Sequence, residues 1–303
     1  HGFERVAQSA RTHMNLKLLT EQGANGASGA DGKFTVEELQ AAIMGNRSYT
    51  AELLRAEVVA RCEASPTVEV DAAMVDLKAA CGVLAAWDGR YNPDSKGAVL
   101  WREFLGSFSG AAVEDRGALL AVAFDPDQPL DTPNTLVDPP PMGEQDKVMA
   151  GLARAQIRLK DAGFALDVAI KDMQKATRGT QQFSIHGGQS RDGTANIVTY
   201  NVFKTTIEPG TERGPVLNVE TGLTADGYVI NFGSSFVMAL EIGADGPRGQ
   251  AFLSYSQSDD PASPWYSDQT ALFSAQKWRP LVFSEADIAA DPALQTLEVA
   301  GGE

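Results

Sequence analysis

The spacing of hydrophobic and polar positions changes once along this chain, near Gly179. Ahead of that point apolar residues recur every three or four positions, as the buried stripe of a helix requires, and behind it come short β-branched and aromatic runs. Thr35-x-x-Glu38, in FTVEELQAAI, puts a hydroxyl and a carboxylate where each satisfies an orphan backbone donor, so a helix is expected from Val36 to Met44. A second helix, Ala51 to Cys62, carries Leu54, Val58 and Cys62 on one stripe. A third, Asp71 to Trp87, carries Met74, Leu77, Cys81 and Leu84 and should stop at Asp88-Gly89. NPDSKG then reads as a loop and VLWREFLGSF as another short helix. Six prolines between Asp125 and Met142 each remove a backbone donor and fix φ, so regular structure is not expected there. After them Val148, Leu152, Ala155 and Leu159 form a last helical stripe, with Lys147, Arg154, Arg158 and Lys160 on the wet side.

The segments QQFSIHGG, ANIVTYNVF, PVLNVE, YVINF, FVMALEI and QAFLSYSQ, punctuated by Gly, Asp, Asn and Pro, read as strands. From Phe236 to Leu240 both alternate sets are apolar, the pattern of a strand covered on both faces. Helices followed by strands give an α+β chain in three stretches: a helical segment over 1–124, a Pro-rich connection over 125–143, and a helix followed by strands over 144–303.

At 303 residues the chain has room for one large domain or two ordinary ones. Its 25 Lys and Arg against 40 Asp and Glu leave a net charge of −15, and both halves are acidic. Such a charge repels phosphate backbones and anionic headgroups, which argues against nucleic acid and membrane surfaces as partners. The longest apolar runs, such as Leu119 to Phe124, fall far short of a membrane span. His1-Gly2-Phe3-Glu4-Arg5 has no initiator Met, no basic leader and no apolar leader, so the chain reads as starting mid-gene.

Self-contained chemistry is scarce. Cys62 and Cys81, both on buried stripes, are placed either to bridge neighbouring helices or to remain core thiols, and the spacing leaves both open. Three histidines, at 1, 13 and 186, are too scattered for a zinc pattern. His186, between a strand and two glycines, is a structural turn residue before it is a general base. GASGADGKFTVEEL imitates the end of a calcium loop through Asp31, Gly32 and Glu38, but Ala27 and Gly29 stand where the first carboxylates belong. Ser274-x-x-Lys277 has neither companion motif of the β-lactamases, and P-loop, G-x-S-x-G and G-x-G-x-x-G patterns are absent.

One long run carries more. SYSQSDDPASPWYSDQT, Ser254 to Thr270, followed by WRPLVF, resembles the closing segment of the penicillin-acylase family of N-terminal-nucleophile hydrolases. FSIHGGQSRDGTANIV and LAAWDGRYNPDSKGAVLWREF are similar to elements of its acyl-homoserine-lactone acylase branch, and GFERVAQSARTHMNLKLL to the stretch after the family's oxyanion-hole asparagine. One departure is Trp265, where the family's S-P-x-Y often holds His.

The resemblance implies the C-terminal part of a β subunit that contributes to a four-layer αββα core, in a precursor exported to the periplasm and cut into α and β subunits. The partners implied are the α subunit, the N-terminal part of the β subunit and an acylated small-molecule amide; no cofactor is implied. An N-terminal serine attacks the amide carbonyl with its own α-amine as base, while backbone and asparagine donors hold the oxyanion. Those groups lie upstream of His1, which has no hydroxyl or thiol to replace the serine, so this chain alone is expected to be inactive. The substrate implied is an acyl-homoserine lactone, with a β-lactam or a cyclic lipopeptide as alternatives; a non-catalytic scaffold that kept the fold is the reading from another class. Arg11, in SARTHMN, matches an arginine that supports the oxyanion asparagine, work suited to a charged planar fork, against the plainer role of a helix-surface arginine. An oxidising compartment also favours a Cys62–Cys81 bridge.

Overall fold

The structure is a computed structural model and describes residues 5–108, 117–199, 214–244 and 246–299. His1, and Tyr200 to Phe203 of the expected ANIVTYNVF strand, lie outside the described residues.

Side-chain caps set the first helices. Ser9 accepts the Thr12 amide and opens α1 (Ala10–Thr20), which the periodicity does not single out. Thr35 accepts the Glu38 amide while the Glu38 carboxylate takes the Thr35 amide, and α2 (Val36–Met44) covers the expected residues. α3 (Tyr49–Ala64) starts two residues ahead of expectation because Ser48 is its cap, accepting the Ala51 amide.

The third expected helix is wrong over its first turns. Residues 67–76 form an antiparallel hairpin of β1 (Thr67–Val70) and β2 (Ala73–Asp76), with Val70 opposite Ala73. Asp71 and Ala72 both take positive φ, 50° and 62°, as a two-residue hairpin turn demands. The polar–apolar alternation of Thr67-Val68-Glu69-Val70 prevails over the helical spacing, and Met74 lies 67% exposed. The helix begins only at α4 (Lys78–Ala86), where Asp76 accepts the Lys78 amide. Leu77, Cys81 and Leu84 are buried as expected, and Cys81 is disulfide-bonded to Cys62 of α3 across a Cα separation of 5.8 Å.

Every residue of α5 (Ala98–Leu105) is buried. β3 (Leu120–Val122) pairs with β4 (Asn134–Leu136), so the proline-rich stretch does hold a strand: no proline falls between 133 and 139, leaving donors for the ladder. α6 (Lys147–Asp161), capped by Asp146, buries its expected stripe against α5. Arg158, expected on the wet side, turns inward to Glu103 instead. α7 (Ile170–Met173) leads into the strands.

These are β5 (Gln174–Arg178), β6 (Gln181–Ser184), β7 (Val198–Thr199), β8 (Val216–Asn218), β9 (Leu223–Thr224), β10 (Tyr228–Val229), β11 (Phe232–Gly233), β12 (Phe236–Gly243) and β13 (Gly246–Leu253). α8 (Asp268–Ser274), β14 (Arg279–Leu281) and α9 (Glu285–Ala290) follow. β5 runs between β6, antiparallel, and β10, parallel, while β13 runs between β12 and β14. The architecture is α+β, helical in its N-terminal half and strand-rich in its C-terminal half. One hydrophobic core joins the two, from Leu54 and Cys62 through Trp101 and Phe104 to Phe252 and Phe273. No helix among the described residues is long and apolar enough to cross a membrane.

The expected cover on both faces of β12 is not found. Val237 and Ala239 are buried, but Phe236, Met238, Leu240 and Ile242 are 57%, 44%, 36% and 82% exposed, because nothing among the described residues lies over that side.

The bridge closes a loop between residues 62 and 81, and double replacement by alanine is expected to lower unfolding stability by about 3 kcal/mol in urea denaturation. Alkylation of the denatured, unreduced protein is expected to label no cysteine; two labelled thiols would refute the bridge.

Candidate functional site

Two of the residues singled out by sequence, Arg11 and His186, meet at the turn from His186 to Asn196. Gly187 and Gly193 adopt positive φ there, 99° and 77°, and a Cβ on Gly188 would meet Thr194 and Asp192 within 3 Å, so only glycine lets the chain fold back this tightly. Arg11, half-buried on α1, donates from Nε to the Ala195 carbonyl at 3.1 Å. His13, two residues further, stacks on Tyr49 at 5.1 Å and sets Nε2 against the Pro129 carbonyl. The N-terminal helix is thus fastened to the turn and to the proline-rich stretch at once.

His186 is fully buried and fully engaged. The Asn46 amide nitrogen donates to the Met44 carbonyl at 2.8 Å, which orients it as a donor toward His186 Nδ1 at 3.0 Å. Asn196 approaches the same nitrogen at 3.2 Å, so Nδ1 accepts and Nε2 carries the proton, donated to the Phe273 carbonyl at 2.9 Å. Burial pushes the imidazole down to about 4, against a smaller opposing effect of the Phe273 carbonyl, and the ring is neutral at physiological pH. It is a structural strut tying α8 to the turn.

Deeper still, α5 delivers two charges into the core. Arg102 Nε donates to Asp192 Oδ2 at 2.9 Å and Nη1 to Gln174 Oε1 at 2.8 Å, and the guanidinium lies 5.0 Å from the Tyr91 ring centre and 4.6 Å from that of Tyr228. Burial opposes the Arg102 charge, but Asp192 outweighs it and the pKa rises above the ordinary arginine value. Next to it, Glu103 accepts from Tyr228 Oη at 2.6 Å, Asn218 at 2.8 Å and Arg158 at 2.9 Å. Burial, and then the neighbouring carboxylates, hold both tyrosines protonated. Asp192 also accepts the Gln189 amide, and its carbonyl receives Ser48 Oγ and Thr50 Oγ1. Sequence reasoning missed this network. Its one signal is the pair Arg102-Glu103 inside an otherwise apolar helix.

The most specific run, 254–270, also closes on itself. Ser256 Oγ accepts the Gln269 and Thr270 amides at the start of α8, and Gln269 accepts the Leu253 amide. The Arg178 guanidinium lies 4.1 Å from the Tyr266 ring centre and donates to the Tyr266 and Ser258 carbonyls. Trp265 stands 61% exposed at the loop surface. Ser274 Oγ donates to the Ser184 carbonyl, and Glu38 is engaged in the cap of α2. Among the described residues no three His, Cys, Asp or Glu are grouped to hold a metal ion. A cleft of about 280 Å³ beside α2 is lined by Arg47 and Arg90, but Glu21, Glu52 and Asn25 already accept from those guanidinium groups. Among the described residues these side chains are engaged with one another, and none of the contacts given above is a nucleophile–base pair.

The sequence profile of the penicillin amidase family matches residues 1–290. The chain belongs to this family. Aculeacin-A acylase of Actinoplanes utahensis is 36% identical over 305 aligned residues, covering 99% of this chain and 34% of the relative. An acyl-homoserine lactone acylase, PvdQ, of Pseudomonas savastanoi pv. phaseolicola is 30% identical over 269, covering 87% and 30%, and that of Pseudomonas fluorescens Pf0-1 is 31% identical, covering 88% and 30%. Among solved structures, a thermostable penicillin G acylase from Alcaligenes faecalis aligns with 90% of this chain and 50% of its own, at a TM-score of 0.43 and 19% identity. The chain spans about a third of the length of the curated relatives it matches. Within this penicillin amidase chain, the H-G-G turn and the 254–270 run are built as structural fastenings, and so is the W-D-G-R loop, where Trp87 Nε1 donates to the Arg90 carbonyl, Arg90 to the Gly45 carbonyl and Ser95 Oγ to Asp88.

The neutral His186 sets a pH dependence. An unfolded histidine binds its proton near 6.5 and the folded one only near 4, so the folding stability this group supplies is complete above 6.5 and is lost as pH falls through 4. The expected slope is up to about 1.4 kcal/mol per pH unit within that window. Urea midpoints measured from pH 7 to pH 4 should fall less steeply for His186→Gln; parallel curves would absolve the residue.

Proposed function

We propose that this chain is the C-terminal part of the β subunit of an exported acylase that hydrolyses the amide of an N-acyl-homoserine lactone, releasing a fatty acid. The observation that carries the reading is the family match over 1–290 together with 30–31% identity to acyl-homoserine lactone acylases over 87–88% of the chain. In this reading the nucleophilic serine, with its α-amine as base, and the oxyanion asparagine lie outside these residues, in the N-terminal part of the β subunit, and the strands here join a four-layer αββα core. The divisions at 1–124, 125–143 and 144–303 are then stretches of one assembly. Export to the periplasm is supported by the Cys62–Cys81 bridge, which persists in oxidising compartments. Arg11 is the positioning residue: tied at Nε to the Ala195 carbonyl, its fork is held in one direction by the 186–196 turn.

A second reading, an acylase of the aculeacin-A type, is favoured by the higher identity to the aculeacin-A acylase, 36% against 30%. The two differ in the amine released, not in the chemistry at the carbonyl.

The test is intact-mass analysis and N-terminal sequencing of every polypeptide that co-purifies with this chain, followed by assay on homoserine lactones of graded acyl length, aculeacin A and penicillin G. A small subunit, a segment beginning with serine and release of acid are expected. A folded chain alone, inert toward all three, would establish the scaffold reading. In the complete enzyme Arg11→Ala is expected to lower turnover by up to about 100-fold, with Arg11→Lys partly restoring it and the melting midpoint unchanged; equal turnover removes Arg11 from the site.

A further inference from the structure

The ion pair at the centre of the core has three polar atoms beside it that the protein itself does not satisfy. Arg102 Nη2, Asp192 Oδ1 and Tyr91 Oη are buried, and none has a hydrogen-bond partner among the described residues. Such atoms are rare in folded proteins, because each gives up its bonds to water and receives none in return.

The three belong to immediate neighbours. The Arg102 guanidinium lies 5.0 Å from the Tyr91 ring centre and joins Asp192 through Nε and Oδ2 at 2.9 Å. In a two-point fork the second guanidinium nitrogen would meet the second carboxylate oxygen; here the fork closes on one arm only. The Tyr91 hydroxyl lies against both charges: burial first, and then Asp192, keep it protonated, while Arg102 acts the other way.

The surrounding polar groups are engaged elsewhere. Gln174 takes Arg102 Nη1 on its oxygen and donates from its nitrogen to the Ile185 and Gly187 carbonyls. Tyr228 Oη donates to Glu103, and the Gln189 amide is on Oδ2 of Asp192. Tyr91 is held in place by its own backbone, its amide on the Asn46 carbonyl at 2.9 Å and its carbonyl on the Gly187 amide at 3.0 Å, with the ring edge-on to Trp87 at 5.8 Å. Its hydroxyl is therefore fixed beside the pair.

The atoms specify their ligand. Nη2 only donates, the carboxylate oxygen only accepts, and the tyrosine hydroxyl does either. A cation is repelled by the guanidinium and an anion by the carboxylate. Water donates and accepts at once, and a buried water typically bridges about three otherwise unsatisfied groups. We propose that one water molecule is bound here, accepting from Arg102 Nη2 and the Tyr91 hydroxyl and donating to Asp192 Oδ1. It completes the second arm of the pair, supplying the additional hydrogen bonds that buried charges need to offset their desolvation. It also ties the loop that carries Tyr91 to α5 and to the 186–196 turn. The site is separate from the amide chemistry proposed above and stands whether or not that reading does.

The experiment is a crystal structure of the full-length protein at a resolution that places ordered water, for the wild type and for Tyr91→Phe, which keeps the ring and removes the hydroxyl. In the wild type, one water within hydrogen-bond distance of all three atoms, as well ordered as the side chains around it, is expected. In the variant the same water is expected to remain on Arg102 and Asp192 with a larger displacement factor. A closed two-point fork with Nη2 directly on Oδ1, or the Tyr91 hydroxyl directly on the carboxylate, would overturn the proposal. So would an ion in the water's place, or a water seen only in the variant, where it would merely replace the lost hydroxyl.

Discussion

Arg102 and Asp192, 1% and 0% exposed, form an ion pair 90 residues apart in sequence, and the rest of the structure is arranged so that neither charge is left alone. Losing one partner of such a pair costs about 3–5 kcal/mol, because the other stays buried without compensation. The pair is held accordingly. Gln174 and two aromatic faces surround the guanidinium, and the Gln189 amide shares the carboxylate. The same residue's carbonyl takes the hydroxyls of Ser48 and Thr50 at the start of α3, so the charge that holds α5 also fixes the direction of α3. From this turn the constraint passes outward through His186 to α8 and through Ala195 to Arg11 on α1. Four helices are oriented by one eleven-residue stretch, His186 to Asn196.

What could be read from the sequence follows from how local each determinant is. The cap of α2 lies within four residues and was legible to the residue. The stripe of α6 was legible too, except Arg158, whose long side chain reaches back to a carboxylate that only the fold brings near. The hairpin at 67–76 was misread because Met74, Leu77 and Cys81 satisfy a helical spacing while Asp71 and Ala72 carry the competing turn without the glycine that usually announces it. The contacts that matter most were out of reach: Glu103 meets Asn218 across 115 residues, and no spacing rule relates them. His186 was legible as a turn residue, but its tautomer depends on Asn46, 140 positions earlier.

The 254–270 run, on which the resemblance to the family rests, is engaged with itself and with Arg178. Ser256, Gln269, Tyr266 and Arg178 are spent on one another, closing the loop that feeds α8. Family resemblance and catalytic capacity are therefore separate statements for this chain: the first is written in fastenings, and the second requires a hydroxyl beside a free α-amine, which the fastenings do not provide.

The β12 strand shows the same separation in its energetics. Its pattern reads as covered on both faces, and the inner face agrees, down to the Arg248 pairs that tie it to α2. Fully burying each large apolar side chain contributes about 1.5–3 kcal/mol, so four left in water forgo several kcal/mol that the inner face does not recover. A sequence selected for solvent on that side would alternate with polar residues, as β1 does. The pattern of β12 is thus apolar on both faces, while among the described residues only the inner face is covered.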